Sequence, residues 1–146
     1  MILLLLACSN KKIITENVLP AISLYDGVFY KVLKRATLQN PRLRDLLDIH
    51  ILSAKYGLIH SQQPISFYDL KMTKEFSKEN IAFFTDSLIK LIQDKPIESI
   101  MVVMGKTYRD SFDWERIPIK CEFITGEIGI MQSNFKKWLL GLNTEE

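Results

Sequence analysis

Short apolar runs alternate with amphipathic stretches along this chain, and the runs have the length of buried strands. They predict four strands, at residues 2–7, 49–52, 97–104 and 118–124. Apolar positions three and four residues apart predict three helices, with stripes through residues 25–36, 81–92 and 131–142. The resulting order, β-α-β-loop-α-β-β-α, is typical of an α/β sheet. We therefore predict a single α/β domain over residues 1–146, with a mostly parallel sheet and helices packed on it.

Several residues mark where the predicted helices begin and end. Pro20 suits the first turn of a helix, because its missing N–H needs no partner there. Gly27 interrupts the first apolar stripe, so either the helix begins after it or a neighbouring segment packs closely against its backbone. Pro41 ends that helix. Ser77 is the expected N-cap of the second helix.

The amino-terminal run also resembles a lipoprotein cleavage box, through residues 5–8 (LLAC). That run has about six apolar residues and no preceding basic segment, whereas a signal core usually has about 7–15. We therefore expect a fully buried strand here.

Composition narrows the class of protein. Hydrophobic residues make up 47% and charged residues 25% of the chain, close to the averages of soluble globular proteins. The net charge of +2 does not by itself require a nucleic-acid partner. Cys8 and Cys121 fit neither a disulfide framework nor a metal-ligand spacing, which favours a reduced, cytoplasmic protein. No apolar run approaches the roughly 18 residues of a membrane span, so we expect no membrane partner.

Polar side chains follow three of the predicted strands where each strand ends. Because parallel strands deliver their carboxyl ends to one edge of a sheet, these loops should meet there. The candidate residues in and beyond the loops are Cys8, Ser9, Asn10, Lys11, Lys12, Ser53, Lys55, Tyr56, Gly57, Tyr68, Asp69, Gly105 and Tyr108. Cations and hydroxyls suit an anionic or carbonyl-bearing ligand, with phosphate first. We predict one pocket lined by Ser9, Lys11 or Lys12, Ser53, Tyr56, Tyr68 and Gly105.

The individual chemistry of these side chains stays open. Cys8 could be a nucleophile, but a small buried thiol at a strand end is the expected role. A lysine nucleophile would need burial or neighbouring cations to lower its pKa. His50 and His60 are a poor basis for a metal site, since His50 is expected to be buried and hydrogen-bonded within a strand. We predict neither a metal nor another cofactor.

The motifs resemble those of the YaaA-like family, named for a bacterial peroxide-stress protein. Members begin with an apolar strand and a Ser-Pro-Ala-Lys loop, where this chain has CSNK at residues 8–11. The segments at residues 24–30 (LYDGVFY), 52–58 (LSAKYGL, continuing to Tyr68) and 129–135 (GIMQSNF) are also similar. The resemblance implies a compact, minimal YaaA-like fold and adds Asp26, Gly27 and Tyr30 to the site. This chain is shorter than typical members and lacks their inserted segments, including a region associated with DNA binding.

The loop at residues 8–12 is also similar, more weakly, to the lysine-dependent domain of archaeosine synthase, in which a lysine attacks the nitrile of a 7-deazaguanine base. The first resemblance aligns Lys11 with the functional lysine and the second aligns Lys12.

Two functions remain open. One is a nucleobase- or nucleotide-processing enzyme with Lys11 or Lys12 as nucleophile or phosphate clamp and Asp69 or Asp26 as acid/base. The other is a non-catalytic oxidative-stress protein that binds DNA or damaged nucleic acid through basic residues, Lys11, Lys12, Lys31, Lys34 and Arg35. The oligomeric state is left open.

Overall fold

Strands and helices alternate along most of the chain, as the apolar pattern predicts. A computed structural model of the protein describes residues 1–142, so residues 143–146 of the expected domain lie outside the described part. In that part the strands are β1 (Ile2–Ala7), β2 (Leu19–Pro20), β3 (Leu47–Ser53), β4 (Gly57–His60), β5 (Pro64–Ile65), β6 (Ser99–Val103) and β7 (Lys120–Ile124). The helices are α1 (Ala21–Leu24), α2 (Val28–Gln39), α3 (Leu43–Leu46), α4 (Lys74–Glu79), α5 (Ile81–Asp94), α6 (Lys106–Arg109) and α7 (Ile128–Gly141), with a 3₁₀ turn at Trp114–Arg116.

Five of the strands form one sheet in the order β4-β3-β1-β6-β7. The pairs β1–β3, β1–β6 and β6–β7 are parallel, and β4 runs antiparallel at the edge. The central strand β1 is apolar throughout because both of its faces are covered, as is usual for parallel strands. The predicted mostly parallel α/β fold is confirmed.

Helices cover both faces of the sheet. Leu4 and Leu6 of β1 pack in a core with residues of α1, α2 and α7, whereas Leu3 and Leu5 pack in a second core with residues of α5. Successive side chains of a strand point to opposite faces, which places one hydrophobic strand in two cores. The carboxyl ends of the parallel strands are therefore enclosed by helices on either side.

Two of the predicted boundaries are wrong. The segment after Gly57 was expected to be a loop but forms β4, which turns back on β3 in a tight hairpin with Gly57 at φ +78°. Ser77 is not an N-cap. It is a buried residue of α4, and its hydroxyl bonds to Ser111 and the Thr107 carbonyl oxygen. Thr73 caps α4 instead, because its side chain accepts the N–H of Phe76.

Within residues 1–142, no helix combines the length and the apolar composition needed to cross a membrane.

Candidate functional site

The loops that follow β1 and β6 meet at the carboxyl edge of the sheet and border a cavity of about 620 Å³, which we call the edge cavity. The N–H of Cys8 donates to the carbonyl oxygen of Leu52 at 3.0 Å, so the end of β1 stays joined to β3 up to this edge. The predicted site residues that line the edge cavity are Cys8, Ser9, Asn10, Lys11, Asp26, Gly27, Tyr30, Gly105 and Tyr108. Residues almost a hundred positions apart in sequence thus share one cavity.

The loop after β1 is held tightly against the start of α2. The hydroxyl of Ser9 donates to the carbonyl oxygen of Lys11 at 2.6 Å, and the N–H of Asp26 donates to the same oxygen at 2.8 Å. A Cβ on Gly27 would lie 2.8 Å from the Cβ of Ser9, closer than two such atoms approach. Both expectations for Gly27 are met, because α2 begins directly after it and Ser9 packs against its backbone.

Positive charge gathers on one side of the edge cavity. Lys11 and Lys31 both line it, and a hydrogen-bond contact with Lys11, together with repulsion from its ammonium, lowers the pKa of Lys31. The first N–H groups of α2 have no partner within the helix, and Val28 and Phe29 bring this positive end of the helix dipole to the cavity. Two positively charged side chains beside a helix amino terminus favour an anionic ligand.

Two phenols support the wall of the edge cavity. Tyr30 is buried and donates to the carbonyl oxygen of Ala7 at 2.7 Å. The Tyr108 oxygen lies 3.3 Å from the Cys8 sulfur and accepts the N–H of Met72 at 3.4 Å. Burial raises the pKa of both phenols well above its ordinary value, so both stay protonated at neutral pH and can donate hydrogen bonds. Cys8 is a half-buried thiol at a strand end, close to its expected role.

The second predicted loop contributes to a neighbouring group that we call the tyrosine cluster, formed by Tyr25, Ser53, Tyr56 and Tyr68. The Ser53 hydroxyl oxygen accepts the backbone N–H of Lys55 at 3.1 Å and that of Tyr56 at 3.0 Å. Its proton is therefore free to go to Tyr68, 2.8 Å away, and Tyr68 in turn donates to Tyr25 at 2.6 Å. Burial raises the pKa of Tyr25 to about 12. Ser53, Tyr68 and Tyr25 thus form one chain of hydrogen bonds, and the Tyr56 hydroxyl bonds to the backbone of Ser66.

Two lysines lie on the tyrosine cluster. The Lys12 ammonium is 4.5 Å from the centre of the Tyr68 ring, and the Lys55 ammonium is 5.3 Å from the centre of the Tyr56 ring. Such cation–π contacts account for both cations without a ligand.

The prediction of one shared pocket is therefore correct for part of the set only. Ser9, Lys11 and Gly105 line the edge cavity together. The predicted members that do not line it are Lys12, Ser53, Lys55, Tyr56, Gly57, Tyr68 and Asp69. The hairpin at Gly57 turns the chain away from the edge, and the phenols pair with each other instead of facing the cavity. Asp69 is exposed.

Sequence reasoning missed several residues of the edge cavity, namely Val28, Phe29, Met104, Ile128 and Met131, and had placed Lys31 only on a DNA-binding surface. One signal was available for Lys31. It lies one helical turn after Gly27, on the face that a helix starting there presents to the same loop. The apolar members carried no signal of their own, because core and cavity residues look alike in sequence.

In the middle of β3, His50 is buried and hydrogen-bonded as predicted. Its Nε2 lies 3.2 Å from Oδ2 of Asp48, and burial lowers the pKa of His50 to about 4, so the ring is neutral at pH 7. Burial alone would raise the pKa of Asp48, but the hydrogen bond from Lys95 and the charges nearby lower it. His60 joins this group from β4. The sequence reading missed that arrangement because it treated residues 57–60 as loop.

Known proteins similar to this chain include two from one bacterium. A UPF0246 protein of Corynebacterium glutamicum strain R is 42% identical over 62 residues, and a UPF0246 protein of strain ATCC 13032 matches to the same extent. The aligned segment is 42% of this chain and spans 24% of each relative's length. The family model described as peroxide stress protein YaaA matches residues 5–142. The chain therefore belongs to the YaaA peroxide stress protein family.

Proposed function

We propose that the edge cavity binds a nucleotide or nucleobase, a modified or 7-deazaguanine base among the candidates, and that the protein acts on it as an enzyme. The observation that carries this proposal is the pairing of Lys11 with Lys31 beside the amino end of α2. Those groups suit a phosphate, whereas Phe29, Ile128 and Met131 offer an apolar wall for a flat base. The volume of about 620 Å³ suits a ligand of that size, since such sites measure roughly 300–1,000 Å³.

The contacts favour Lys11 over Lys12 as the functional lysine. Lys11 lines the edge cavity, whereas the Lys12 ammonium lies over Tyr68 of the tyrosine cluster. This supports the alignment with the YaaA loop rather than the weaker similarity to archaeosine synthase. In the proposed reaction the unprotonated Lys11 amine adds to an unsaturated carbon such as a nitrile carbon, whose π electrons move to the nitrogen that takes up the amine proton; otherwise Lys11 holds the phosphate. Asp26, the carboxylate that lines the cavity, moves the proton.

Separate alanine variants of the two lysines test this assignment. Lys11→Ala should weaken the binding of a guanosine nucleotide at least about tenfold, because a hydrogen bond from a charged group contributes about 1.5–3 kcal/mol. Lys12→Ala is the matched control and should bind within about twofold of the unchanged protein. Isothermal titration calorimetry measures both affinities. Equal binding by both variants would remove Lys11 from the site, and loss in Lys12→Ala alone would reverse the assignment.

A thermal-shift screen of nucleotides and deazaguanine bases would identify the ligand class. A compound present at 100 times its dissociation constant adds about 2.7 kcal/mol to the free energy of unfolding. The phosphate contribution can be separated by comparing a base, its nucleoside and its nucleotide at equal concentration. Binding that rises only when the phosphate is added would support the role of the Lys11–Lys31 pair.

A second candidate function, a non-catalytic oxidative-stress protein that binds DNA or damaged nucleic acid, is favoured by a different surface. A groove of about 470 Å³ between α2 and α7 is lined by Lys31, Arg35 and Lys136. None of the residues that line it within the described part of the chain is acidic. Of the other cations expected to bind DNA, Lys34 donates to the carbonyl oxygen of Tyr25 at 3.4 Å and Lys12 lies on the tyrosine cluster. A DNA-binding surface formed by this groove therefore fits the structure better than one formed by all five predicted cations.

The salt dependence of DNA binding tests this second function. If Arg35 neutralises a phosphate, Arg35→Ala should reduce the slope of log affinity against log salt by about 0.9. Lys90→Ala removes an exposed cation from α5 and serves as the matched control. Fluorescence anisotropy with a labelled duplex gives the slopes. A flat slope in the unchanged protein, or equal slopes in both variants, would contradict DNA binding through this groove.

A further inference from the structure

Three side chains of the kind that bind metal ions converge on the first half of β3, and none of them lines the edge cavity. Asp48 pairs with Leu3 near the start of β1, and Asp48 and His50 lie two residues apart on the same face of β3. His50 is directly opposite His60 in the antiparallel pair of β3 and β4. The two imidazole rings are therefore in contact, with their centres 4.9 Å apart.

The spacing of the donor atoms matches a metal centre. Oδ2 of Asp48 lies 3.2 Å from Nε2 of His50, and Oδ1 lies 3.5 Å from Nε2 of His60. All three ligand atoms lie within 4.8 Å of one another. A tetrahedral Zn²⁺ with bonds of roughly 2.0–2.2 Å holds its ligands roughly 3.3–3.6 Å apart, so the more widely spaced donor atoms must move closer together for one ion to bind all three.

We propose that Asp48, His50 and His60 bind a divalent first-row transition metal ion. Two imidazoles and one carboxylate are the ligand types that such ions accept, and three protein ligands leave a coordination position open. This site is separate from the proposed nucleotide site and does not depend on it.

Two of the three ligand residues also border a second cavity. Asp48 and His60 line a cavity of about 750 Å³ that also contains Lys34 and Arg44. A closed structural centre would have a fourth protein ligand, whereas the described residues supply three. The open position is therefore expected to hold water or another exchangeable small ligand.

Three hydrogen bonds must change when the metal binds, the first being the one that His50 Nε2 donates to Oδ2 of Asp48. The Lys95 ammonium lies 2.9 Å from Oδ2 of Asp48 and neutralises that buried carboxylate in the metal-free protein. The N–H of Gln62 donates to Nδ1 of His60 at 3.0 Å, which leaves the proton of the neutral ring on Nε2. The metal takes the place of the Lys95 charge, and the protons on Nε2 of His50 and of His60 move to Nδ1 of the same rings. Lys95 is 37% exposed in its side chain, so it can withdraw into solvent.

Titration of the full chain, free of any histidine tag, with Zn²⁺ and then Co²⁺ at neutral pH tests the site. We expect saturable binding of one ion by calorimetry, and a Co²⁺ spectrum of a low-coordinate nitrogen and oxygen site without a thiolate charge-transfer band. A thiolate band would assign the ion to Cys8 or Cys121 and overturn the proposal. Absence of saturable binding would also overturn it.

Variants at the rim of the site identify the ligands without disturbing the core. His60→Gln should weaken Zn²⁺ binding at least about tenfold while the protein stays folded, since the His60 side chain is 43% exposed. Lys95→Met removes the competing ammonium and should tighten binding several-fold. Unchanged affinity in His60→Gln, or unchanged or weaker affinity in Lys95→Met, would overturn the assignment. Circular dichroism of each variant confirms that a lost signal reflects the missing ligand.

Discussion

Replacing Phe135 by alanine is expected to lower the free energy of unfolding by about 3–5 kcal/mol, the usual cost of removing a buried phenylalanine. Phe135 of α7 is fully buried, and its ring centre lies 6.1 Å from that of Phe29 on α2. The Trp138 ring is nearly parallel to it, with the two ring centres 6.3 Å apart. Deleting the ring therefore leaves a cavity between two helices and the sheet, which the neighbouring backbone is too constrained to fill. Urea unfolding followed by circular dichroism measures the change.

Phe83→Ala is the matched control for that measurement. Phe83 lies on α5 but its side chain is 62% exposed, so its removal should change the stability by about 0.5 kcal/mol or less. The contrast between the two variants isolates burial from residue type. A loss in Phe135→Ala as small as that expected for Phe83→Ala would show that the packing of α7 on α2 contributes little to stability.

The sheet was predictable because its central strands are buried on both faces. The β1 run from Leu3 to Leu6 has no polar interruption, and only a strand buried on both faces accepts such a run over so short a length. By contrast β4 has two apolar residues, Leu58 and Ile59, and its pairing with β3 depends on the hairpin turn at Gly57. Periodicity over four residues cannot distinguish such an edge strand from a loop.

The sequence predicted the position of the edge cavity, at the carboxyl ends of the parallel strands, but not its full lining. Parallel strands place Ser9 and Gly105 at the same edge whatever the side chains do, and the structure brings them together. Which of the other predicted residues line the edge cavity, and which join the tyrosine cluster, depends on hydrogen bonds between side chains. Tyr68 faces away from the edge cavity because its hydroxyl bonds to Ser53 and Tyr25, which are 15 and 43 residues away in sequence. Contacts of that kind arise from the packed fold and leave no local pattern.

Family membership and geometry support different parts of the functional argument. The matched family model places the chain among peroxide stress proteins, whereas the curated relatives are aligned over only 24% of their length. The proposed ligand and reaction are therefore inferred from the residues that line the edge cavity. There the decisive element is the close packing of the loop after β1 on the start of α2, since it sets Lys11 beside Lys31.

That packing depends on the absence of a side chain at Gly27. Gly27→Ala should lower the free energy of unfolding by about 1–3 kcal/mol, because its Cβ would stand 2.8 Å from the Cβ of Ser9. The backbone conformation is not the obstacle, since φ of −75° is open to alanine. The loop would have to move outward and carry Lys11 away from Lys31. We therefore also expect nucleotide binding to weaken at least about tenfold.

Two further variants distinguish this steric effect from the general cost of alanine before a helix. Gly105 has nearly the same backbone angles and precedes α6, and no atom lies within 4 Å of the place where its Cβ would stand, so Gly105→Ala should change stability by about 0.5 kcal/mol or less. Adding Ser9→Gly to Gly27→Ala removes the clashing atom. The double variant should then be more stable than the sum of the single changes by about 1 kcal/mol or more, as measured by urea unfolding. Additive losses would mean that contact between the loop and α2 does not hold the cavity in shape.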